Sequence, residues 1–228
     1  GQNHLVHERR LTVIDVGNDG DITQFLHRSD ILTCKSNKFC ENMLWYRSLS
    51  DGNAYCGFSN GGAVLVDKLY ESGKVHEFEE FLRVNGVEYK LKFITSNDTH
   101  ELMAEFNEGK KMSPFLSLAS TGTMALFLYY IWSISAFEKI SFLFIDEFDA
   151  FFHYESAENI VLQLNKARNF QTILTSHNTY LMQNKLTRPD CCFLMTSNKV
   201  NSLFNSTDKE IREVHNLEKM YINGAFYE

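Results

Sequence analysis

The chain has 228 residues, with 22 basic and 29 acidic side chains, so its formal net charge is −7. Hydrophobic residues make up 44% and aromatic residues 14%, which is enough apolar material for a globular fold with a sizeable core. The negative balance argues against a surface devoted to wrapping nucleic acid, because such a surface needs clustered positive charge.

Membrane, secretory and disulfide signals are absent from this sequence. The most apolar run, Met124–Phe137, is too short to span a bilayer and is predicted to be a buried helix. No signal-peptide pattern opens the chain. The five cysteines include no C-x-x-C pair, so neither a zinc site nor a disulfide framework is expected. We therefore expect a cytoplasmic protein.

Residues 1–112 are predicted to form an irregular α+β portion. The segments "LTVIDV" (residues 11–16) and "AVLVDKLY" (63–70) resemble short strands separated by turn-forming clusters. The segment "VHEFEEFLRVNG" predicts a helix that ends near Gly86, because its apolar residues share one helical face. The segment "VEYKLKFI" (87–94) alternates as a half-buried strand does.

Residues 113–228 show a regular succession of helices and strands. The predicted elements are a helix from about Met124, strand 140–146, helix 153–168, strand 170–176, short helix "NTYLMQNKL" (178–186) and strand 191–197. This alternation predicts a parallel sheet with helices on both faces. Sites in such sheets form at the carboxyl ends of strands, where Asp146, Glu147, Ser176 and His177 are expected.

The stretch "FLFIDE" ends an apolar run in two acids, Asp146 and Glu147. One carboxylate can hold a hydrated Mg²⁺ ion, and its neighbour can polarise an attacking water. Many strands also end in acids that merely leave the core and cap the next helix. Both interpretations are open from this stretch alone.

Two further segments have the same ambiguity. In "TSHN" (175–178), His177 can bind a phosphate oxygen or a water, or it is incidental to a capping turn. In "LASTGT" (118–123), hydroxyls and backbone N–H groups precede a helix, which suits either an anion site or a simple N-cap. One helix and one strand separate consecutive segments, so the three can converge on one edge of a sheet.

In this order the segments resemble the C-terminal half of ABC-type ATPases, in particular bacterial AAA ATP-binding proteins related to RecF, SMC and the overcoming-lysogenisation-defect proteins. "LASTGT" is similar to their signature loop, "FLFIDE" to Walker B, "EFDAFFH" to the D-loop and "ILTSHN" to the switch-His loop. The resemblance covers residues 113–228, including a closing strand, hairpin and final helix. It implies a P-loop NTPase-like α/β fold of the ABC ATPase type.

The resemblance also implies ATP and Mg²⁺ as cofactors. Asp146 would help to hold Mg²⁺ through water. Glu147 would be the general base for attack of water on the γ-phosphate, and His177 would contact that phosphate.

Further roles follow from the same resemblance at an intersubunit site. Ser120, Gly122 and Thr123 would contact ATP held by the other subunit, so sites would form in a head-to-tail homodimer. Asp149 would lie on the loop at that interface, and His153 would serve structure rather than catalysis.

One part of the family pattern is missing. No G-x-x-x-x-G-K-[ST] loop occurs in the 228 residues, and this loop supplies the main grip on the β- and γ-phosphates. The chain alone is therefore expected to bind ATP poorly. Either it is a piece of a longer protein, as its start at Gly1 without methionine suggests, or it is a degenerate relative. The complete set of Asp146, Glu147 and His177 favours the first explanation.

Three functions are compatible with these features. The first is an ATPase domain that couples nucleotide-driven dimerisation to a defence or DNA-processing partner, either a protein effector or nucleic acid. The second is a metal-dependent nuclease, with Asp146, Glu147, Asp149 and His153 as ligands. The third is a non-catalytic interaction domain that uses the aromatic segments at 39–49 and 126–132, although aromatic residues also fill cores.

Overall fold

The computed structural model describes residues 11–16, 43–47, 61–96, 99–195, 199–212 and 214–226. Two compact units make up the chain, and each is assembled from separate segments. The first unit takes Gly1–Leu49, Lys139–Ala150 and Ala157–Glu228, and the second takes Ser50–Glu138 and Phe151–Ser156. Both units therefore contain residues from the two portions that were distinguished by sequence.

The secondary structure of the described residues is as follows. The strands are Leu11–Val16 (β1), Met43–Arg47 (β2), Lys90–Ser96 (β3), Thr99–Phe106 (β4), Lys111–Pro114 (β5), Phe142–Asp146 (β6), Gln171–Ser176 (β7), Cys192–Met195 (β8) and Val200–Ser202 (β9). The α-helices are Gly61–Ser72 (α1), Val75–Val84 (α2), Phe115–Leu118 (α3), Thr121–Ser135 (α4), Tyr154–Lys166 (α5) and Leu217–Ile222 (α6). Short 3-10 helices span Thr179–Leu181 and Leu203–Asn205.

The first unit contains a six-stranded sheet of order β2-β6-β7-β1-β8-β9. All of its strand pairs are parallel except β8 with β9. The early strands β1 and β2 thus join the same sheet as the strands of the second half. Since β6, β7 and β1 run in the same direction, their carboxyl ends share one edge. The predicted α/β class with a parallel sheet is confirmed.

Both faces of this sheet are covered by apolar clusters. On one face Phe142, Phe144, Ile173 and Met195 are buried together, and Phe193 packs against them. The other cluster consists of Met182, Cys192, Leu203, Leu217 and Phe226. Cys192 and Phe193 are consecutive in β8 and join different clusters, so the two clusters lie on opposite faces.

Helix α5 has a single buried stripe. Ala157, Ile160, Val161 and Leu164 are buried at the i, i+3, i+4, i+7 spacing of an amphipathic helix. Leu162 is apolar too, but it lies outside this stripe and is 36% exposed. The periodicity of the stripe, rather than the total number of apolar residues, decides which face is buried.

The second unit combines helices with an antiparallel sheet of order β3-β4-β5. Its core is aromatic: the ring centroid of Phe78 lies 4.6 Å from that of Phe127 and 5.0 Å from that of Tyr130. Residues 126–132 are all buried in helix α4. The proposed use of this segment as an interface is therefore wrong, because its aromatic rings are already packed. Of the other aromatic segment, only strand β2 lies within the described residues.

One predicted strand of the second unit is a helix. The segment "AVLVDKLY" lies inside α1, where Leu65, Val66 and Leu69 are buried. Their spacing of one and four residues fits a helical face and not a strand. The two valines favour strand by intrinsic preference, but the burial of this helical face outweighs that preference. The turn-forming cluster "GNDGD" that directly follows "LTVIDV", at residues 17–21, lies outside the described residues.

The predicted helix "NTYLMQNKL" is shorter than expected. Only Thr179–Leu181 is helical, as a 3-10 turn, and the Asn178 side chain caps it by accepting the Tyr180 N–H at 3.1 Å. The Asn184 side chain donates to the carbonyl of His215 at 2.9 Å. Local side-chain bonds of this kind compete with helix formation.

The sequence predicted that the chain has no disulfide framework, no zinc site and no membrane-spanning helix. Cys191 and Cys192 are free thiols, and burial raises the pKa of Cys192 to about 12. The other three cysteines lie outside the described residues. In the described part of the chain, no helix is both long and apolar enough to cross a membrane.

Replacing Phe144 with alanine tests the importance of the sheet core. Phe144 is 1% exposed, so we expect Phe144→Ala to lower the free energy of unfolding by about 3–5 kcal/mol, measured by urea denaturation. The matched control is Phe204→Ala, since Phe204 is 61% exposed and should cost less than about 1 kcal/mol. Equal losses for the two variants would contradict the assigned core.

Candidate functional site

Asp146 is the last residue of β6 and is only 8% exposed. Its Oδ1 accepts a hydrogen bond from the hydroxyl of Thr175 at 2.7 Å. Thr175 lies in β7 and is fully buried. The two side chains meet because β6 and β7 are parallel neighbours, with Ile145 opposite Leu174 in the register. A buried carboxylate therefore stands at the carboxyl edge of the sheet, held by a hydroxyl group from the next strand.

Glu147 leaves the strand in a left-handed backbone conformation, with φ of 47°. This conformation costs a residue with a side chain roughly 1–2 kcal/mol, so the surrounding structure has to hold it. Its N–H donates to Thr175 Oγ1 at 2.7 Å, and the next N–H, of Phe148, donates to the Thr175 carbonyl at 3.1 Å. The chain then closes a turn in which the Ala150 N–H donates to the Glu147 carbonyl at 3.0 Å.

The Glu147 carboxylate lies beside the imidazole of His177, with 3.8 Å between Oε1 and Nε2. The side chains are 25% and 53% exposed, so solvent reaches this pair. An ion pair of this exposure contributes little to stability. Chemically, the two groups offer an acceptor for a water proton beside a ring N–H that can bind an anion.

A second pair of hydrogen bonds holds the loop that carries His177. The Ser176 hydroxyl donates to Asp149 Oδ2 at 2.8 Å and accepts the Asn178 N–H at 2.8 Å. Burial raises the pKa of Asp149 above its ordinary value of 3.8, and the hydrogen bond from Ser176 partly opposes this shift. Consecutive hydroxyls at the end of β7 thus bind one acid each: Thr175 binds Asp146, and Ser176 binds Asp149.

The predicted signature-loop residues occupy the start of helix α4 in the second unit. Ser120 is the N-cap: its Oγ accepts the Thr123 N–H at 3.1 Å and lies 2.9 Å from Thr123 Oγ1. Thr123 is 4% exposed. These contacts match the N-cap interpretation, and contact with a nucleotide stays a prediction for all three residues.

The close approach of another backbone segment explains why residue 122 is a glycine. A Cβ atom at this position would lie 2.5 Å from the carbonyl oxygen of Phe151, which belongs to the backbone of the same unit. Any larger residue would force the helix start and the Phe151 backbone apart.

The described residues suit a hydrated Mg²⁺ ion better than a multi-ligand metal centre. Among them, no three His, Cys, Asp or Glu side chains are grouped so that they could hold a metal ion. The nuclease hypothesis, which needs such a group, receives no support from them. A single hard carboxylate at a strand end, as in Asp146, fits an ion that keeps most of its waters. Asp146 would hold such an ion, and Glu147 and His177 stand beside it at the same edge.

Sequence reasoning missed the role of Thr175. The signal was a hydroxyl residue at the end of an otherwise apolar strand, next to a strand that ends in two acids. Its partners could not be deduced without the register of β6 against β7. Ser176 was expected at the sheet edge, and its bond to Asp149 emerges only in the folded chain.

A family model described as "AAA domain, putative AbiEii toxin, Type IV TA system" matches residues 12–183, which is more than half of the chain. The predicted resemblance to AAA ATP-binding proteins is thereby confirmed. No curated protein sequence matches the chain.

Several solved structures of SMC head domains are similar to the chain. The head from Thermotoga maritima is 15% identical with a TM-score of 0.45, and the match covers 85% of this chain and 90% of that one. A Pyrococcus yayanosii head with coiled coil is 20% identical with a TM-score of 0.41, covering 59% and 28%. A Pyrococcus furiosus head bound to the C-terminal domain of ScpA is 18% identical with a TM-score of 0.40, covering 58% and 35%. The match thus covers only a minor part of either Pyrococcus chain.

Substituting Gly122 tests the close approach at the start of α4. We expect Gly122→Ala to destabilise the chain by about 1–3 kcal/mol, because the added methyl group meets backbone that has no easy way to move. The control is Gly62→Ala, at the matching position of α1, where the methyl group meets only the flexible Leu116 side chain at 2.8 Å. Thermal unfolding should separate the two variants, and equal stability would refute the assignment.

The raised pKa of Asp149 predicts a pH dependence of stability. The folded chain binds this proton more tightly than the unfolded chain does, so ionisation of Asp149 lowers stability as the pH rises from 3.8 through the raised pKa. Asp149→Asn removes that penalty. The free energy of unfolding of the variant relative to wild type should therefore increase as the pH rises from 3.8 through the raised pKa of Asp149. A difference that does not change with pH would contradict the prediction.

Proposed function

Because the chain belongs to this AAA-domain family, we propose that it is an ATP-binding and ATP-hydrolysing domain of the ABC type. The observation that carries the proposal is the 3.8 Å approach of the Glu147 carboxylate to the His177 imidazole, directly after Asp146 at the sheet edge. In this proposal β6 is the Walker B strand, and the turn after β7 carries the switch histidine.

Each side chain of the site has one part in hydrolysis. Asp146 holds hydrated Mg²⁺, which when bound offsets the negative charge of the ATP phosphates. Glu147 accepts a proton from the attacking water as general base. His177 donates a hydrogen bond from Nε2 to an oxygen of the γ-phosphate, and its exposed position leaves it open to a ligand.

The signature-loop residues are proposed to act across a subunit interface. Ser120, Gly122 and Thr123 would contact ATP held by a second copy of the chain, which requires a head-to-tail homodimer. The capped N-terminus of a 15-residue helix supports this, because such a terminus attracts phosphate.

The missing phosphate-binding loop limits the expected affinity. No G-x-x-x-x-G-K-[ST] segment occurs in the 228 residues, so the strongest contacts to the β- and γ-phosphates are not provided by that motif. We expect this chain to bind ATP·Mg²⁺ with a dissociation constant on the order of 1 mM.

A role in a cytoplasmic defence or DNA-processing system is proposed for the nucleotide-driven dimer. The family description, which names a toxin and a TA system, supports the defence side of this proposal. The partner would be a protein effector or nucleic acid.

One competing function is that of a degenerate relative that serves as an interaction domain, and the absent phosphate-binding loop favours it. The hydrolysis and binding experiment below distinguishes this function from the proposed ATPase.

The test of the proposal is hydrolysis and metal-nucleotide binding by the full chain. At about 5 mM ATP and Mg²⁺, we expect Glu147→Gln to lower the rate of phosphate release at least about 100-fold, because the base is lost. Binding of Mn²⁺·ATP, measured by paramagnetic broadening of the backbone amide resonances at positions 147 and 177, should survive in Glu147→Gln and disappear in Asp146→Ala.

Glu210→Gln serves as the control, because Glu210 is an exposed acid paired with Arg212 at 2.7 Å. Its phosphate release and broadening should equal those of wild type. If the wild-type chain shows neither binding nor hydrolysis, the ATPase proposal fails and the interaction domain takes its place.

A further inference from the structure

We propose that Thr175 is the positioning residue of this site: its hydroxyl holds the metal-binding carboxylate of Asp146 and the backbone of the base Glu147 in register with each other. The inference rests on the proposed function, which assigns those two acids. Thr175 itself touches neither nucleotide nor water in this role and acts through its two partners.

The hydrogen bonds of Thr175 converge on three consecutive residues of the neighbouring chain segment. Its Oγ1 donates to Asp146 Oδ1 at 2.7 Å and accepts the Glu147 N–H at 2.7 Å. Its carbonyl accepts the Phe148 N–H at 3.1 Å. A hydroxyl group offers one donor and two acceptor positions, so one oxygen can serve a carboxylate and an amide together.

The position of Thr175 makes these bonds strong constraints. The residue is 0% exposed, so water does not compete for its hydroxyl. It is also the next-to-last residue of a strand that is paired on both sides, with β1 and with β6, and its backbone is therefore rigid. A buried hydroxyl on a rigid strand can therefore fix the position of the irregular turn that begins at Glu147.

The hydroxyl of Thr175 maintains the backbone geometry of Glu147. Its backbone φ of 47° is unfavourable for a residue with a side chain, and the bond from its N–H to Thr175 holds it there. The same conformation sets where the carboxylate leaves the backbone, 3.8 Å from His177. Losing the hydroxyl should therefore displace the Glu147 carboxylate and remove a donor from Asp146 in one step.

The chain offers a matched set of substitutions for the test. Thr175→Val keeps the shape of the side chain and removes the hydroxyl, whereas Thr175→Ser restores the hydroxyl in a smaller side chain. The control is Thr172→Val: Thr172 lies in the same strand and is 1% exposed, but Leu143 is opposite to it, three residues before Asp146.

Two measurements on the full chain test the proposal. The first is hydrogen exchange of the Glu147 amide by NMR, which we expect to accelerate at least about tenfold in Thr175→Val and to stay slow in the other two variants. The second is binding of Mn²⁺·ATP and the rate of its hydrolysis. Removing a group that orients a metal ligand typically costs about 10–100-fold in affinity or activity, and we expect a loss in that range for Thr175→Val.

The outcomes separate this inference from the proposed function. Recovery of slow exchange and of activity in Thr175→Ser, together with wild-type behaviour of Thr172→Val, would support a positioning role. Wild-type Mn²⁺·ATP binding and hydrolysis in Thr175→Val would overturn the inference and leave the ATPase proposal intact. An equal loss in Thr172→Val would also overturn it, because the effect would then be general destabilisation. Failure of the wild-type chain to bind Mn²⁺·ATP would overturn both.

Discussion

The in-register parallel pairing of β6 with β7 is the constraint on which the candidate site depends. It places Ile145 opposite Leu174, and therefore brings the last residues of both strands together at one edge. From that edge Thr175 and Ser176 bind Asp146 and Asp149, and the following turn places His177 beside Glu147. A shift of one residue would turn each of these side chains to the opposite face.

The burial of both strands explains why the site can be rigid. Strand β6 is buried along its whole length, and β7 is buried except at its first residue. The apolar cluster on one face includes Phe142 and Phe144 of β6 and Ile173 of β7, so the polar groups at the ends of both strands have little freedom to relax. The left-handed backbone at Glu147 is stable in this setting because three consecutive residues, 146 to 148, each form a hydrogen bond with the buried Thr175.

The second unit depends on a different kind of packing. Helix α4 is buried around most of its circumference among aromatic rings, and its first turn is closed by the Ser120 cap and by the Phe151 carbonyl against Gly122. These contacts make the helix start rigid, with its N-terminal amides in a defined place. A rigid start suits the proposed phosphate contact, and the same contacts also stabilise the unit without a ligand.

Local pattern by itself determined the parallel α/β class, the acidic strand end at Asp146 and Glu147, the histidine turn at His177 and the capped start of α4. Those features depend on neighbouring residues, and hydrophobic periodicity together with capping preferences expresses them directly. The same logic failed for "AVLVDKLY", where valine-rich composition suggested a strand and the burial of Leu65, Val66 and Leu69 required a helix. Only the tertiary structure decided that β1 and β2 join the main sheet, that Gly122 faces a carbonyl and that Thr175 binds the Asp146 carboxylate and the Glu147 backbone. Each of these depends on the register or approach of segments far apart in the chain, which a local pattern does not encode.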